Sequence, residues 1–188
     1  MRNCVGTMNQ ERLMKMDALQ AITERRSCRS FTDRPVEKEK LQTIIHAGLC
    51  AASGRNTQSP LILAITDQTT RDALSELNRS IGGWQEGFDP FYGAPAVLLV
   101  IADKSVPTYL YDGSLVMGNL MLAAHSQGIA SCWIHRAKEE LESEQGKELL
   151  RSLGIEGDYE GIGHCVLGYA DTPAQPIPRK ENRVFYIE

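Results

Sequence analysis

The sequence predicts a single α+β domain, and two observations carry that prediction. The clearest strand, Ala96-Val97-Leu98-Leu99-Val100-Ile101, is one of several short apolar runs. These runs are separated by longer stretches whose apolar residues recur at helical spacing. Size agrees, because 188 residues suit one domain. A chain of that length buries about 70% of its unfolded surface, enough for a core without staples.

Residues 1–16, with Met8, Met14 and Met16 in a weakly patterned stretch, read as a flexible leader or as sequence before a later natural start. The domain then spans residues 17–188. Asp17 can cap a first helix running to about Arg25, with Leu19 and Ile22 on its apolar side. Arg34-Pro35 breaks the chain, since a residue before proline is pushed out of the helical region. A second helix follows from about Glu37, with Leu41, Ile44, Ile45, Gly48 and Leu49 facing the core. It ends in Ala51-Ala52-Ser53-Gly54, where the glycine permits a left-handed exit.

Leu61 to Thr66 reads as a short buried strand and Gln68 to about Ser80 as an amphipathic helix. Residues 81–93 hold four glycines, at 82, 83, 87 and 93, with Pro90 and the bulky Trp84, Phe88, Phe91 and Tyr92, a pattern for a mobile loop or lid. The longest helix, Val106 to about Gln127, is apolar almost all round. Gly113, Ser114, Gly118 and Ala123 would let another helix approach, so it is either a dimer seam or the central helix of a monomer core. Gly128 closes it. Ser131 to Ile134 is a short strand, Lys138 to about Leu153 a charged surface helix, and Gly161 to Tyr169 a glycine-rich strand. The arm, residues 171–188, opens with Pro173, Pro176 and Pro178 and closes with Arg183-Val184-Phe185-Tyr186-Ile187. Such a run must bury itself, and adding a strand to a neighbouring subunit would do so.

A net charge of -4 gives no global attraction for nucleic acid, so any bound anion must meet local positive charge. Five cysteines without a CxxC pair fit a reducing cytosol rather than a disulfide framework. Cys132 and His135 have C-x-x-H spacing, but one such pair makes no metal site. No apolar run approaches the roughly 18 residues of a membrane span. The polar N-terminus lacks a secretory apolar core, so a cytoplasmic protein is expected.

Four clusters can carry chemistry. Arg25-Arg26-Ser27-Cys28-Arg29 places three guanidiniums and a hydroxyl where an anion could be held bidentately. The alternative is a solvated basic turn. Ser53, Asn56 and Gln58 lie in a polar loop whose amides offer both donor and acceptor, suited to the edge of a heterocycle. Pro178-Arg179-Lys180 adds a basic point on the arm. Trp133, Ile134 and His135 end a short strand.

Taken in order, these segments resemble the nitroreductase family of FMN-dependent oxidoreductases, in its smaller subgroup. The resemblance runs from about Asp17 to the C-terminus. It is carried by R-R-S-x-R at Arg25 to Arg29 with Phe31, and by A-A-S-x-x-N-x-Q at Ala51 to Gln58. Tyr92-Gly93-Ala94-Pro95, Asn119-Leu120-x-Leu122-Ala123-Ala124 with Gly128, and Ser131-Cys132-Trp133-Ile134 extend it, as do Gly168-Tyr169 and Pro178-Arg179-Lys180.

The resemblance implies a mixed sheet flanked by helices, a long central helix at a homodimer interface, and a C-terminal arm exchanged between subunits. It implies that Arg25, Arg26, Ser27 and Arg29, joined by Arg179 and Lys180, hold the FMN phosphate and ribityl chain. Ser53, Asn56 and Gln58 would approach the flavin from the other subunit, and the backbone around Trp133, Ile134 and His135 would lie near N5. Hydride would pass from NADH or NADPH to a nitroaromatic, quinone or enone by a ping-pong mechanism, with no catalytic side chain. Ser59, Pro60 and Leu61 stand where relatives often have an aromatic residue, and His135-Arg136 where larger relatives place Glu-Gly. Gly161 and Gly163 do not form a dinucleotide fingerprint, and no GxxxxGK[ST] is present, so the nicotinamide donor is a transient visitor. A flavin-binding carrier or sensor, and a phosphate-ligand module without flavin, are the competing readings.

Overall fold

The structure is a computed structural model that describes residues 16–188. The leader, and the choice among Met1, Met8 and Met14 as the start, lie outside the described residues. Four antiparallel strands form one sheet in the order β1-β2-β4-β3: β1 Pro60–Ile65, β2 Ala96–Asp103, β3 Ala130–Ile134 and β4 Tyr159–Gly168. Among the described residues the one parallel element is a single bridge from Ser27 to Ser131.

The period-two geometry of β2 divides the interior. Val97, Leu99 and Ile101 join Leu74, Leu141 and Leu150 on one face of the sheet. Ala96, Leu98 and Val100 join Leu41, Ile44, Val116, Met117 and Leu120 on the other. Both faces are covered, so β2 reads as an unbroken apolar run.

Six α-helices cover the described residues: α1 Ala18–Glu24, α2 Lys38–Leu49, α3 Gln68–Gly82, α4 Tyr109–Ser126, α5 Ala137–Glu142 and α6 Glu144–Ser152. Asp17 caps α1 by accepting from Leu19 N at 2.8 Å, and Asp67 caps α3 by accepting from Thr70 N at 2.8 Å. The charged surface helix expected from Lys138 divides at Ser143, whose hydroxyl accepts from Gly146 N at 3.1 Å and restarts the chain as α6. A Cβ on Gly146 would run into the Glu140 carbonyl, which is why glycine stands there.

Several expectations are corrected. The apolar side of α1 points outward, with Leu19 71% and Ile22 55% exposed and only Ala21 buried. Leu49 is likewise exposed at the end of α2. Gly54 is not left-handed, since α2 stops at Leu49; a Cβ there would collide with the Thr108 hydroxyl. The strand β1 is an edge strand, only partly buried. The expected lid is irregular after Gly83, yet Phe91 is fully buried and Asp89 ties the segment down. The arm forms no strand within the protomer, and residues 170–188 are exposed throughout.

The glycines of β4 serve packing. A Cβ on Gly163 would strike the Trp133 indole, and one on Gly161 would strike the Ala137 carbonyl. Gly161→Ala is therefore expected to destabilise the protein by about 1–3 kcal/mol through overpacking. The check is a lower denaturant midpoint at unchanged slope. No helix among the described residues is long and apolar enough to cross a membrane, and among them no group of three or more His, Cys, Asp or Glu residues could hold a metal ion.

Candidate functional site

Arg25 caps the C-terminus of α1, and Arg26 folds back on that helix end, donating to the carbonyls of Thr23 at 2.7 Å and Arg25 at 2.8 Å. The chain then runs beside β3: Ser27 bridges Ser131, and Cys28 N donates to Ser131 O at 2.9 Å. Arg25 Nη1, Arg26 Nε and the Ser131 hydroxyl are buried without a hydrogen-bond partner among the described residues. A buried donor left unsatisfied costs about 1–3 kcal/mol, so this cluster has the chemistry to accept an anion. Burial pushes the Cys132 thiol up, against the pull of Arg29 and Ser27 beside it. Burial also pushes His125 on α4 below its usual value; Glu24 opposes this, while Arg25 and Arg26 reinforce it. Sequence reasoning missed His125, and it named Ser131 only as part of the β3 segment without joining it to the basic cluster, because neither has a spacing of its own that announces the contact.

The polar loop sits elsewhere. Gly54 N donates to Asp112 Oδ1 at 2.9 Å, and Thr108 Oγ1 donates to Asp112 Oδ2 at 2.8 Å, which fastens the loop to the N-terminal turn of α4. Asp112, a buried acid in an otherwise apolar helix, was the signal for this anchor. Ser53 Oγ accepts from Gln58 N at 3.0 Å, and Asn56 Oδ1 accepts from the Gln58 amide at 3.0 Å. Arg55, Asn56 and Gln58 all take positive φ, at 53°, 56° and 50°. Non-glycine residues held there are strained and cluster at ligand sites. A cavity of about 220 Å³ opens beside the loop, lined by Ser53, Gln58, Pro60 and Asp112 among others.

Trp133 and Ile134 end β3, and the carbonyl of exposed His135 accepts from Asn78 at 2.8 Å. Arg136 has φ 78°, a conformation that glycine adopts freely, and its guanidinium lies 5.2 Å from the Trp84 ring. Trp84 meets Phe88 in a tilted contact at 5.4 Å, and Phe88 meets Tyr92 edge to face at 6.0 Å between ring centroids. Burial alone would raise the Asp89 carboxyl, but Arg71, Ser75 and the amides of Gly93 and Phe91 outweigh it and hold it low. Arg179 and Lys180 lie on the exposed arm.

The protomer therefore joins the Arg25–Arg29 cluster to β3 but not to the polar loop. Asp112 and His125 mark opposite ends of α4, about 20 Å apart at 1.5 Å per residue. The loop leads into β1 and the basic cluster flanks β3, the two edges of the sheet, about 14 Å apart at three strand spacings.

The outward face of α4 is apolar. Tyr111 is 73% and Leu115 50% exposed, Gly118 has open space beyond its Cα, and Leu122 continues the stripe. Gly113, by contrast, faces inward against Ile162. The helix is thus central to the protomer core on one side and, among the described residues, uncovered along much of the other.

Residues 22–169 match the model of the Nitroreductase family. The FMN reductase (NAD(P)H) of Bacillus subtilis is 36% identical over 137 residues, which are 61% of this chain and 52% of that protein. A nitroreductase with bound FMN from Desulfitobacterium hafniense has a TM-score of 0.83 at 26% identity, covering 92% of this chain and 100% of that one. One from Bacteroides fragilis, also with bound FMN, reaches 0.85 at 24% identity with the same coverage. The chain spans about half the length of the Bacillus relative and 62% of a relative from Methanothermobacter thermautotrophicus.

Proposed function

The chain belongs to the nitroreductase family, and from that premise we propose that it is an FMN-dependent NAD(P)H oxidoreductase that works in the cytoplasm as a homodimer. The observation that carries this reading is the set of unpartnered buried donors, Arg25 Nη1, Arg26 Nε and Ser131 Oγ, beside Ser27. They suit a phosphate monoester, and relatives of the same fold are described with FMN bound.

Arg25, Arg26, Ser27 and Arg29 hold the phosphate and ribityl chain. The four residue steps from Ser131 to His135, along and just past β3, span about 13 Å of extended chain, which leads from that anion site to Ile134 and His135 at the ring edge. Ser53, Asn56 and Gln58 cannot reach the same ligand within one protomer. A second copy pairing α4 on α4 in antiparallel fashion would bring its loop to the basic cluster, and the outward stripe from Tyr111 to Leu122 supports that pairing. The arm then carries Arg179 and Lys180 to the partner's site, while Val184 to Ile187 cover apolar surface such as the groove at the β1 edge lined by Ile45, Leu49 and Leu153.

When bound, FMN supplies the hydride relay between NADH or NADPH and an electron-poor acceptor, taken in turn on one face. The protein fixes the ring, offers backbone donors and positive charge to its polar edge, and screens the acceptor with the segment carrying Trp84 and Phe88. No side chain of the chain need form a covalent bond.

Purified protein is expected to be yellow, and anaerobic NADH or NADPH should bleach it, with a nitroaromatic or quinone restoring the colour. Colourless protein that takes up no FMN would leave a phosphate-ligand module. Yellow protein that neither nucleotide bleaches would leave a carrier or sensor.

A further inference from the structure

Asn78 on α3, Glu140 on α5 and His164 on β4 are fully buried, and the reading above gives none of them a task. The Asn78 amide donates to the His135 carbonyl at 2.8 Å and also to Glu140 Oε1. The other carboxyl oxygen of Glu140 lies 2.9 Å from His164 Nε2, a contact that is not aligned as a hydrogen bond. Glu140 N donates to the Arg136 carbonyl at 3.0 Å, and its own carbonyl accepts from Ser143 Oγ at 2.6 Å. Asn78 thus ties α3 to the His135 carbonyl, the first turn of α5 holds the Arg136 carbonyl, and His164 backs the Glu140 carboxyl that receives Asn78. Arg136 has φ 78°.

A left-handed residue with a side chain persists only where its surroundings hold it. A buried carboxyl facing an imidazole is seldom the most stabilising filling for a core, so its presence points to specificity of geometry. Ile134 pairs with His164 in the sheet, which places the imidazole beside the Ile134 side chain on the same face, at the end of β3.

We propose that Asn78 and Glu140, backed by His164, are positioning residues that fix the Ile134–Arg136 backbone and, through it, the groups offered to the reactive edge of the flavin. The proposal rests on the reading that this turn borders FMN. The residues act through the backbone rather than by contact with cofactor or substrate.

Asn78→Ala and Glu140→Gln test it, with amide exchange measured on FMN-free protein and flavin midpoint potential, kcat and KM on loaded protein. Exchange at the Glu140 amide, which donates to the Arg136 carbonyl, is expected to quicken about tenfold in Asn78→Ala, while the β2 amides stay protected. In the loaded protein kcat should fall about ten- to hundredfold and the midpoint potential should shift, with KM for the nicotinamide donor within about twofold. Glu140→Gln keeps an acceptor for Asn78 and should show the same pattern more weakly. It also decides the matter if Asn78→Ala folds poorly. Unchanged exchange at the Glu140 amide in folded variants overturns the clamp. Faster exchange with unaltered kcat and potential overturns its role in positioning. Protein that takes up no FMN defeats the flavin reading instead, and the exchange measurement still judges the clamp.

Discussion

Leu115→Glu is expected to convert the protein from dimer to monomer and to strip its flavin in the same step. Leu115 lies at the centre of the outward stripe of α4 and is half exposed in the protomer. Glutamate is a good helix former, so the isolated fold should tolerate it. In a two-fold interface the substitution occurs twice. At about 2 kcal/mol for each central apolar anchor, the dimer loses about 4 kcal/mol, close to a thousandfold in Kd. Because the polar loop and the basic cluster lie at opposite ends of α4, a monomer would offer only half of the proposed site. Sedimentation velocity and the flavin absorbance of the purified variant check both halves. A dimer that stays yellow would place the interface on another surface.

Arg25→Ala should lower FMN affinity by about ten- to hundredfold, because it removes charge-assisted bonds worth about 1.5–3 kcal/mol. Arg25 is the better test than Arg26, whose Nη1 already serves the end of α1. The protomer should keep its fold, since Arg25 Nη1 has no partner among the described residues to lose. Fluorescence titration of the FMN-free protein gives the affinity. Mixed dimers extend the test: Arg25→Ala on one chain and Asn56→Ala on the other should leave one intact site and one doubly damaged site per dimer. Two singly damaged sites, with neither intact, would instead mean that each chain builds its own.

The elements legible in the sequence were those with a local cause. Asp17 caps a helix, Pro35 breaks the chain, Gly128 closes α4 with φ 71°, and β2 declares itself because both its faces are buried. What escaped was set by tertiary contact. The outward turn of Leu19 and Ile22 depends on which side of α1 meets α4, and periodicity identifies an apolar side without saying what covers it. Ser143 split the charged helix because Gly146 has to pass the Glu140 carbonyl. The basic cluster was visible as composition, but its junction with Ser131 is a pairing between residues 104 positions apart, beyond the reach of any local pattern. Asn78 and Glu140 were hidden for the same reason: each is an ordinary polar residue of an amphipathic helix until the helices meet.

Val184, Phe185, Tyr186 and Ile187 are all more than 60% exposed on one protomer. If that tail closes on a second copy, the cooperative thermodynamic unit is the pair, and the melting temperature becomes a function of protein concentration. Each tenfold dilution would then remove about 1.4 kcal/mol from the folded pair.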